Sequence, residues 1–204
     1  PRGSDLAGQG SRSREGVVIR LAPTAIRVGV GVDMHRLVWG RPLILGGIPI
    51  PFNRGLEGDS DADVLTHAIL DALLGAAAEG DIGKQFGVGR PEIMGISSLA
   101  LLERVVTRIA ARGYRPSNVD ATVIAEAPRL GPHIPAMRGR LAAVLGIGKD
   151  RVNVKGTTAK GLGWLGSGEG IATIAVASVV PVRAAFSTGR VDASAHRTRR
   201  ARQR

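Results

Sequence analysis

The chain has 204 residues, 44% of them hydrophobic, and this size and composition predict one folded domain with a substantial core rather than a disordered chain. It contains no cysteine, which excludes disulfides and thiolate metal sites, so any metal ion would need His, Asp or Glu ligands. The net charge of +11 at first suggests nucleic-acid binding, but residues 28–180 carry only +2, whereas residues 1–27 carry +3 and residues 181–204 carry +6.

This charge distribution predicts that the chain consists of a folded part between two terminal segments. Residues 1–25 are expected to be a flexible segment, and its start, Pro1-Arg2-Gly3-Ser4, is typical of a protease-cleavage remnant. Residues 26–182 are expected to fold, and residues 183–204 to form an Arg-rich disordered tail, with weak binding to an acidic partner as the alternative. No apolar run approaches the roughly 18 residues of a membrane span, and the lack of cysteine fits a reducing cytoplasm. We therefore expect neither a membrane nor a nucleic-acid partner for the folded part.

The first predicted element is a strand that starts at Ile26, because apolar residues alternate there with glycine or polar residues. Asp33 and His35 lie two residues apart and so share one face of this strand, while Met34 is predicted to face the core on the other side. A carboxylate and an imidazole suit zinc or a similar divalent ion. The alternative is an ordinary polar strand end.

A strand pair turning at Gly46-Gly47 comes next, followed by a helix over residues 60–79. Ser60 is the predicted N-cap, Asp63 stands in a capping-box position, and Gly80 is the predicted stop. His67 is the one ring-bearing side chain among the apolar positions of this helix. Asp63 is predicted to orient the His67 ring, and a buried structural histidine is the alternative.

The rest of the chain alternates between helical and strand patterns, with helices predicted over residues 96–112 and 135–145 and strands over residues 118–127, 152–156 and 171–182. This order predicts an α+β fold with a mixed sheet packed against helices. Thr157 and Thr158 end one strand, where hydroxyls and backbone amides can hold phosphate. Gly161, Gly163 and Gly166 satisfy G-x-G-x-x-G, but a strand follows them instead of the helix that dinucleotide binding requires.

Six segments in a fixed order resemble the 2-C-methyl-D-erythritol 2,4-cyclodiphosphate synthase family of the non-mevalonate isoprenoid pathway. They include Gly31-Val32-Asp33-Met34-His35, Ser60-Asp61-Ala62-Asp63 with His67, Gly80-Asp81-Ile82-Gly83-Lys84 and Pro132-His133-Ile134-Pro135. The segments 71–77 and 152–155 with 168–172 complete the set. The resemblance covers about residues 26–182.

The resemblance implies a homotrimer with active sites at subunit interfaces. It also implies Zn²⁺ or another divalent cation on Asp33, His35 and His67, with an open position for a phosphate. The implied reaction is intramolecular: the 2-phosphate of 4-diphosphocytidyl-2-C-methyl-D-erythritol 2-phosphate attacks the β-phosphate, and CMP leaves. The partner is thus a small nucleotide-diphosphate substrate, and the protein supplies positioning and charge neutralisation.

The site residues follow from the family positions. Thr158 and Asp59 stand at positions that hold the reacting phosphates, residues 125–131 match the segment that holds cytosine, and His133 is expected to be structural. The expected substrate-binding set is Asp33, His35, Asp59, Ser60, Asp81, Ile82, Gly83, Ala125, Glu126, Ala127, Pro128, Arg129, Leu130, Gly131, Thr157, Thr158 and Trp164.

Three site positions depart from the family pattern. Asp59 replaces a histidine that helps to hold phosphate, and Ser167 replaces an arginine that lines a phosphate-binding cavity on the trimer axis. Lys160 replaces an acidic residue that supports a second Mg²⁺ or Mn²⁺, and this argues against a second ion. A divergent synthase is therefore expected. The alternatives are a zinc- and cytidine-nucleotide-binding homologue with reduced or lost activity and, more remotely, a basic nucleic-acid-binding protein.

Overall fold

A computed structural model describes residues 25–87 and 90–182 of the chain. The predicted flexible segment up to residue 24 and the predicted tail over residues 183–204 lie outside the described residues. The strands are β1 (Arg27–Trp39), β2 (Leu43–Leu45), β3 (Ile48–Ile50), β4 (Arg54–Leu56), β5 (Tyr114–Ile124), β6 (Val152–Thr157) and β7 (Gly170–Pro181). The α-helices are α1 (Val64–Ala77), α2 (Ile82–Phe86), α3 (Ser98–Ala111), α4 (Ile134–Leu145) and α5 (Gly163–Gly166).

Five strands form one sheet in the order β4-β1-β7-β5-β6, and β2 pairs with β3 in a separate hairpin. β5 and β6 run parallel, whereas the other neighbours in the sheet run antiparallel, so the predicted mixed sheet is confirmed. α1 packs on β1 and β7, α3 on α1 and β5, and α4 on β6. Leucine and isoleucine side chains of α1 and α3, among them Leu65, Ile69 and Leu102, are fully buried in the core between these layers.

Gly29 and Gly31 let α1 lie directly on β1. A Cβ atom at Gly29 would stand 2.1 Å from the carbonyl oxygen of Ala72, and one at Gly31 would stand 2.0 Å from that of Ala68. Real atoms do not approach so closely, so only glycine fits at these two positions. The short distance between the two backbones brings the first turn of α1 beside the Asp33 end of β1.

The opposite face of β1 is apolar and exposed. Val28, Val30 and Val32 are 62%, 62% and 50% exposed, and Ile174 and Val176 of β7 continue the same surface. Met34 is also exposed, at 52%, so the prediction that it faces the core is wrong. Alternation identifies two faces of a strand, but here the glycine face meets α1 and the valine face remains uncovered.

The predicted ends of α1 need correction. The helix begins at Val64 with Asp63 as its N-cap, not at Ser60, and it ends at Ala77, where Ala78 with its left-handed φ of 58° is the C-cap instead of the predicted Gly80. Asp63 is fully buried and accepts hydrogen bonds from the amides of Gly46, Gly47 and Thr66 and from the Thr66 hydroxyl. Its carboxylate thus joins the β2–β3 turn to the start of α1, and the predicted role in orienting the His67 ring is wrong.

Other predicted elements agree with the structure within a few residues at most boundaries. The strand pair at Gly46-Gly47 and helices α3 and α4 are confirmed, and α4 ends at Gly146 as expected. β5 starts at Tyr114, four residues before its predicted start. The short elements β4, α2 and α5 were not predicted, because segments of three to five residues carry too few positions for a period to be recognised. No helix in the described ranges is long and apolar enough to span a membrane.

Candidate metal centre and active site

Asp33 and His35 of β1 meet His67 of α1, as predicted. Asp33 Oδ2 lies 3.0 Å from His35 Nε2 and 3.1 Å from His67 Nδ1, and the two ring nitrogens are 3.4 Å apart. Among the His, Asp and Glu residues in the described part of the chain, these three form the group whose ligand atoms lie close enough together to share one ion. All three side chains are partly buried, with 13–25% exposure.

The second nitrogen of each histidine has its own partner. His35 Nδ1 is 2.5 Å from the carbonyl oxygen of Glu57, to which it can only donate. His67 Nε2 is 2.8 Å from the Ser98 hydroxyl and 3.1 Å from the Ser60 hydroxyl. When an ion is bound, protons on these outer nitrogens would leave the inner lone pair of each ring free for it, which is the arrangement that histidine ligands of metals adopt.

The charges of the cluster reinforce one another. Burial on its own raises the pKa of Asp33, but hydrogen bonds from His35 and His67 and the charges of both rings hold the pKa of Asp33 well below its usual range. Burial on its own lowers the pKa of His35, but the hydrogen bond and negative charge of Asp33 raise the pKa of His35 above its usual value. The Asp33 carboxylate therefore stays ionised and available to a cation.

The spacing of the three ligand atoms suits a small divalent ion such as zinc. Four ligands with bonds of about 2.0–2.1 Å place neighbouring ligand atoms about 3.3 Å apart in a tetrahedron. The observed separations of 3.0, 3.1 and 3.4 Å agree with that distance. Two imidazoles and one carboxylate are also the donor set of zinc sites with an open fourth position.

A cleft of about 160 Å³ opens beside the metal ligands. Its wall includes His35 and His67 together with Asp59, Ser60, Ile82 and Gly83, so four predicted substrate contacts are brought to the metal centre, and Phe86, Gly87, Ile93 and Leu101 complete the lining. Asp81 is not part of this lining. Its carboxylate caps α2 by accepting a hydrogen bond of 2.8 Å from the Lys84 amide.

The predicted nucleotide-binding residues line a different cleft, of about 520 Å³. It combines most of the predicted 125–131 segment with Thr157 and Thr158, and its lining is Ala125, Glu126, Pro128, Arg129, Leu130, Gly131, Pro132, Ile134, Gly156, Thr157 and Thr158. Ala127 is not part of the lining. Trp164 lines a third cleft with Met34, His35, Arg36 and Glu169.

The metal centre and the larger cleft lie at the same end of the sheet but on different strands. His35 pairs with Ile171, next to Ala172, and Ala172 is level with Ile124 and Thr157. β1 and β6 are three strand spacings apart in the sheet, or about 14 Å. Most of the predicted substrate contacts are thus divided between these two clefts of one chain, and Trp164 lies in the third.

The three departures from the family pattern occupy distinct places. Asp59 is half-buried and lines the cleft beside the metal ligands. Lys160 is exposed with a left-handed φ of 56°, and its amide lies 3.4 Å from the Thr158 hydroxyl. The Ser167 hydroxyl donates to Glu169 at 2.7 Å. None of these three residues is among the metal ligands.

Sequence reasoning missed Ser98, which is fully buried and touches His67 from a position 31 residues away. Asp61 was assigned no site role from the sequence, yet it accepts hydrogen bonds from both the amide and the hydroxyl of Ser98. No local spacing links these residues, so only the tertiary structure reveals them. Thr173, opposite Asp33 on β7, is also fully buried, and its hydroxyl has no hydrogen-bond partner.

The chain is similar to known proteins over most of its length. The model of the YgbB family matches residues 26–180. A 2-C-methyl-D-erythritol 2,4-cyclodiphosphate synthase of Symbiobacterium thermophilum is 57% identical over 152 residues, which cover 74% of this chain and 97% of that protein.

Two solved structures with CDP in their descriptions have a similar fold. The Plasmodium falciparum IspF–CDP complex has a TM-score of 0.69 at 31% identity, covering 78% of this chain and 99% of that one. A CDP-bound 2C-methyl-D-erythritol-2,4-cyclodiphosphate synthase also has a TM-score of 0.69, at 34% identity, covering 75% of this chain and 99% of that one.

Proposed function

This chain belongs to the YgbB family, and we propose that it catalyses the metal-dependent cyclisation of 4-diphosphocytidyl-2-C-methyl-D-erythritol 2-phosphate to 2-C-methyl-D-erythritol 2,4-cyclodiphosphate, with release of CMP. It is a lyase of isoprenoid biosynthesis. The observation that carries the proposal is the convergence of Asp33, His35 and His67 beside a cleft that includes Ser60.

The chemistry requires positioning more than a protein nucleophile, because a phosphate of the substrate itself attacks. When bound, Zn²⁺ supplies positive charge that neutralises the developing charge on the phosphates. Asp33, His35 and His67 hold the ion, and Ser60, Ile82 and Gly83 form the wall against which the substrate folds. Asp59 takes the histidine position of the family, where its charge disfavours phosphate unless a cation or the substrate's own hydroxyls face it.

The larger cleft is the proposed cytidine site. Its wall includes Ala125, Glu126, residues 128–131, Thr157 and Thr158, whose peptide groups and hydroxyls would suit a base and a diphosphate. Thr158 is the proposed contact to the reacting phosphates. Lys160, exposed next to it, is the proposed replacement for a second Mg²⁺ or Mn²⁺, because a lysine cannot ligate a cation but can neutralise a phosphate.

The proposed assembly is a homotrimer in which the metal centre of one subunit faces the cytidine cleft of a neighbour. Support comes from the apolar surface of Val28, Val30, Val32, Ile174 and Val176, which is unusual for a surface in contact with water. Such an assembly would also bring together the two clefts that are separated within one chain. The bacterial cytoplasm is the proposed location.

A CMP-release assay with the CDP-methylerythritol phosphate substrate tests the activity. The wild-type protein, supplemented with Zn²⁺ and Mg²⁺, is compared with Asp59→His, Lys160→Glu and the double variant. CMP release by the wild type that disappears in His67→Ala is the expected result. If the wild type releases none and the variants recover release, the protein is a binding homologue that has lost activity, which is the second candidate and is favoured by Asp59 in the cleft.

A further inference from the structure

His67 is held from both sides. Its Nδ1 atom faces Asp33 at 3.1 Å, and its Nε2 atom lies 2.8 Å from the hydroxyl oxygen of Ser98. Ser98 is fully buried in the first turn of α3, so water cannot replace this contact. The ring is therefore fixed between a metal ligand on one element and a serine on another.

The direction of the hydrogen bonds follows from Asp61. The Ser98 hydroxyl donates to Asp61 Oδ1, and the Ser98 amide donates to Asp61 Oδ2 at 3.0 Å. An ionised carboxylate only accepts hydrogen bonds, so the single hydroxyl hydrogen of Ser98 is committed to Asp61. Ser98 can then only accept from His67 Nε2–H, and in the neutral ring that binds a metal the proton on Nε2 leaves Nδ1 unprotonated.

We propose that Asp61 and Ser98 are positioning residues that lock His67 in the tautomer required for metal binding through Nδ1. The inference rests on the proposed metal site at Asp33, His35 and His67. It adds a hydroxyl and a carboxylate behind the histidine, a form of the outer support that orients metal-bound imidazoles in proteins. Negative charge on Asp61 also strengthens the donor capacity of the ring through the intervening hydroxyl.

Backbone pairing keeps Asp61 in place. The Asp61 amide donates to the Ile96 carbonyl at 3.1 Å, and the Gly95 amide donates to the Asp59 carbonyl at 2.7 Å. These two bonds join the segment before α1 to the segment before α3. The metal centre thus depends on the docking of α3, although α3 contributes no ligand.

Ser60 has a different role in this arrangement. Its hydroxyl oxygen is 3.1 Å from His67 Nε2 and accepts from the Ala62 amide at 3.1 Å. Because Ser98 already accepts at the shorter distance, Ser60 can turn its hydroxyl hydrogen into the cleft that it lines. Ser98 therefore positions the metal ligand His67, whereas Ser60 is available to bind the substrate.

Zinc affinity measured by competition with a chromogenic chelator tests the inference without any turnover. Ser98→Ala is expected to weaken zinc binding by about ten- to a hundredfold, the usual effect of losing the outer partner of a metal-bound histidine. Asp61→Asn should cause a smaller loss, and Ser98→Thr, which retains the hydroxyl, should restore most of the affinity. Ser97→Ala is the matched control, since the neighbouring Ser97 is exposed and makes no side-chain capping bond.

A second measurement separates tautomer control from general damage to the fold. At a pH where the His67 ring is neutral, its ¹⁵N shifts should show the Nε2–H form in the metal-free wild type and a mixture of tautomers in Ser98→Ala. Unchanged zinc affinity and an unchanged ring tautomer in Ser98→Ala would overturn the inference while leaving the metal site intact. If His67→Ala also binds zinc as the wild type does, the proposed metal site itself is wrong, and the inference is wrong with it.

Discussion

Two fully buried threonines differ in the hydrogen bonding of their hydroxyl groups. The Thr66 hydroxyl donates to the Asp63 carboxylate at 2.7 Å, whereas the Thr173 hydroxyl has no partner. Both residues are 0% exposed, so bulk water does not reach either hydroxyl. Thr→Val substitutions, which replace the hydroxyl with a methyl group, should therefore change stability in opposite directions.

Thr173→Val should raise the free energy of unfolding by about 1 kcal/mol, because it removes a buried polar group that makes no hydrogen bond. Urea unfolding of the chelated, metal-free protein at one fixed concentration measures the change. A loss of stability would mean that the hydroxyl has a partner in solution, with the facing Asp33 as the nearest candidate by register.

Thr66→Val should lower the free energy of unfolding by about 1.5–3 kcal/mol, the usual contribution of a hydrogen bond to a carboxylate. The same unfolding experiment measures it, and the two variants serve as controls for each other because the chemical change is identical. Equal effects in the two variants would contradict the opposite roles assigned to these hydroxyls.

At the level of single residues, the sequence reveals the candidate metal ligands better than the residues that hold those ligands in place. Asp33 and His35 are recognisable because they share a strand face, and His67 because it interrupts an apolar helix. Ser98 and Asp61 are not, because they are 37 positions apart and meet only after α3 docks. Asp63 was misassigned because residues four apart on a helix share a face, yet a helix-capping carboxylate turns towards the backbone.

At the level of elements, Glu79 joins the end of α1 to α3. Its carboxylate accepts from Arg108 Nε at 2.8 Å and Arg112 Nε at 2.6 Å, and its side chain is only 8% exposed. Burial on its own raises the pKa of Glu79, but the hydrogen bonds and charges of both arginines outweigh burial and lower the pKa below its ordinary value of 4.5. This ion pair helps to hold α3 in the place where Ser98 reaches His67.

The lowered pKa gives a pH-dependent prediction for Glu79→Gln. The stability that ionised Glu79 contributes is fully present above pH 4.5 and is lost as the pH falls through the lower folded-state pKa. The wild type should exceed Glu79→Gln in unfolding free energy at pH 7, and the difference should shrink below pH 4.5. Urea unfolding at several pH values measures it, with the exposed Glu103→Gln as control. A difference independent of pH would contradict the ion-pair explanation.

Element boundaries show where a sequence pattern stops being informative. The three carboxylates before α1 all resemble helix-start residues, and only the β2–β3 turn, whose amides bind Asp63, decides which one is the cap. The alternation in β1 correctly predicts a strand. The alternation does not show which face of β1 the chain covers with its own helix. Glycine counts as a polar position in such a pattern, although in β1 it marks the face on which α1 packs.

At the level of the whole molecule, the exposed face of β1 and β7 provides a test of the proposed assembly. Val30→Asp places a charge in the middle of this face and should convert a trimer to monomers, which light scattering coupled to gel filtration measures directly. Thr107→Asp, an equal change in charge on the exposed side of α3, should leave the assembly unchanged. A monomeric wild type, or a Val30→Asp variant that remains a trimer, would refute the proposal.

The fold class, the sheet type and the grouping of Asp33, His35 and His67 could all be predicted from the sequence and its resemblance to one family. The distribution of the predicted substrate contacts over separate clefts could not, because a resemblance assigns roles to positions without placing them in space. The 14 Å estimate between β1 and β6 follows only from the strand order, which local patterns do not determine.

The two glycines of β1 have a consequence for the size of ion that the protein accepts. With no side chain between β1 and α1, backbone contact at Gly29 and Gly31 sets the distance from Asp33 and His35 to His67. An ion with bonds of 2.3–2.6 Å, such as Ca²⁺, would need ligand atoms about 3.8–4.2 Å apart in the same arrangement. Such a widening would lift the helix from the glycines and expose the backbone contact. The two glycines thus favour small ions, because the close approach of α1 to β1 keeps the ligand atoms too near one another for a large ion.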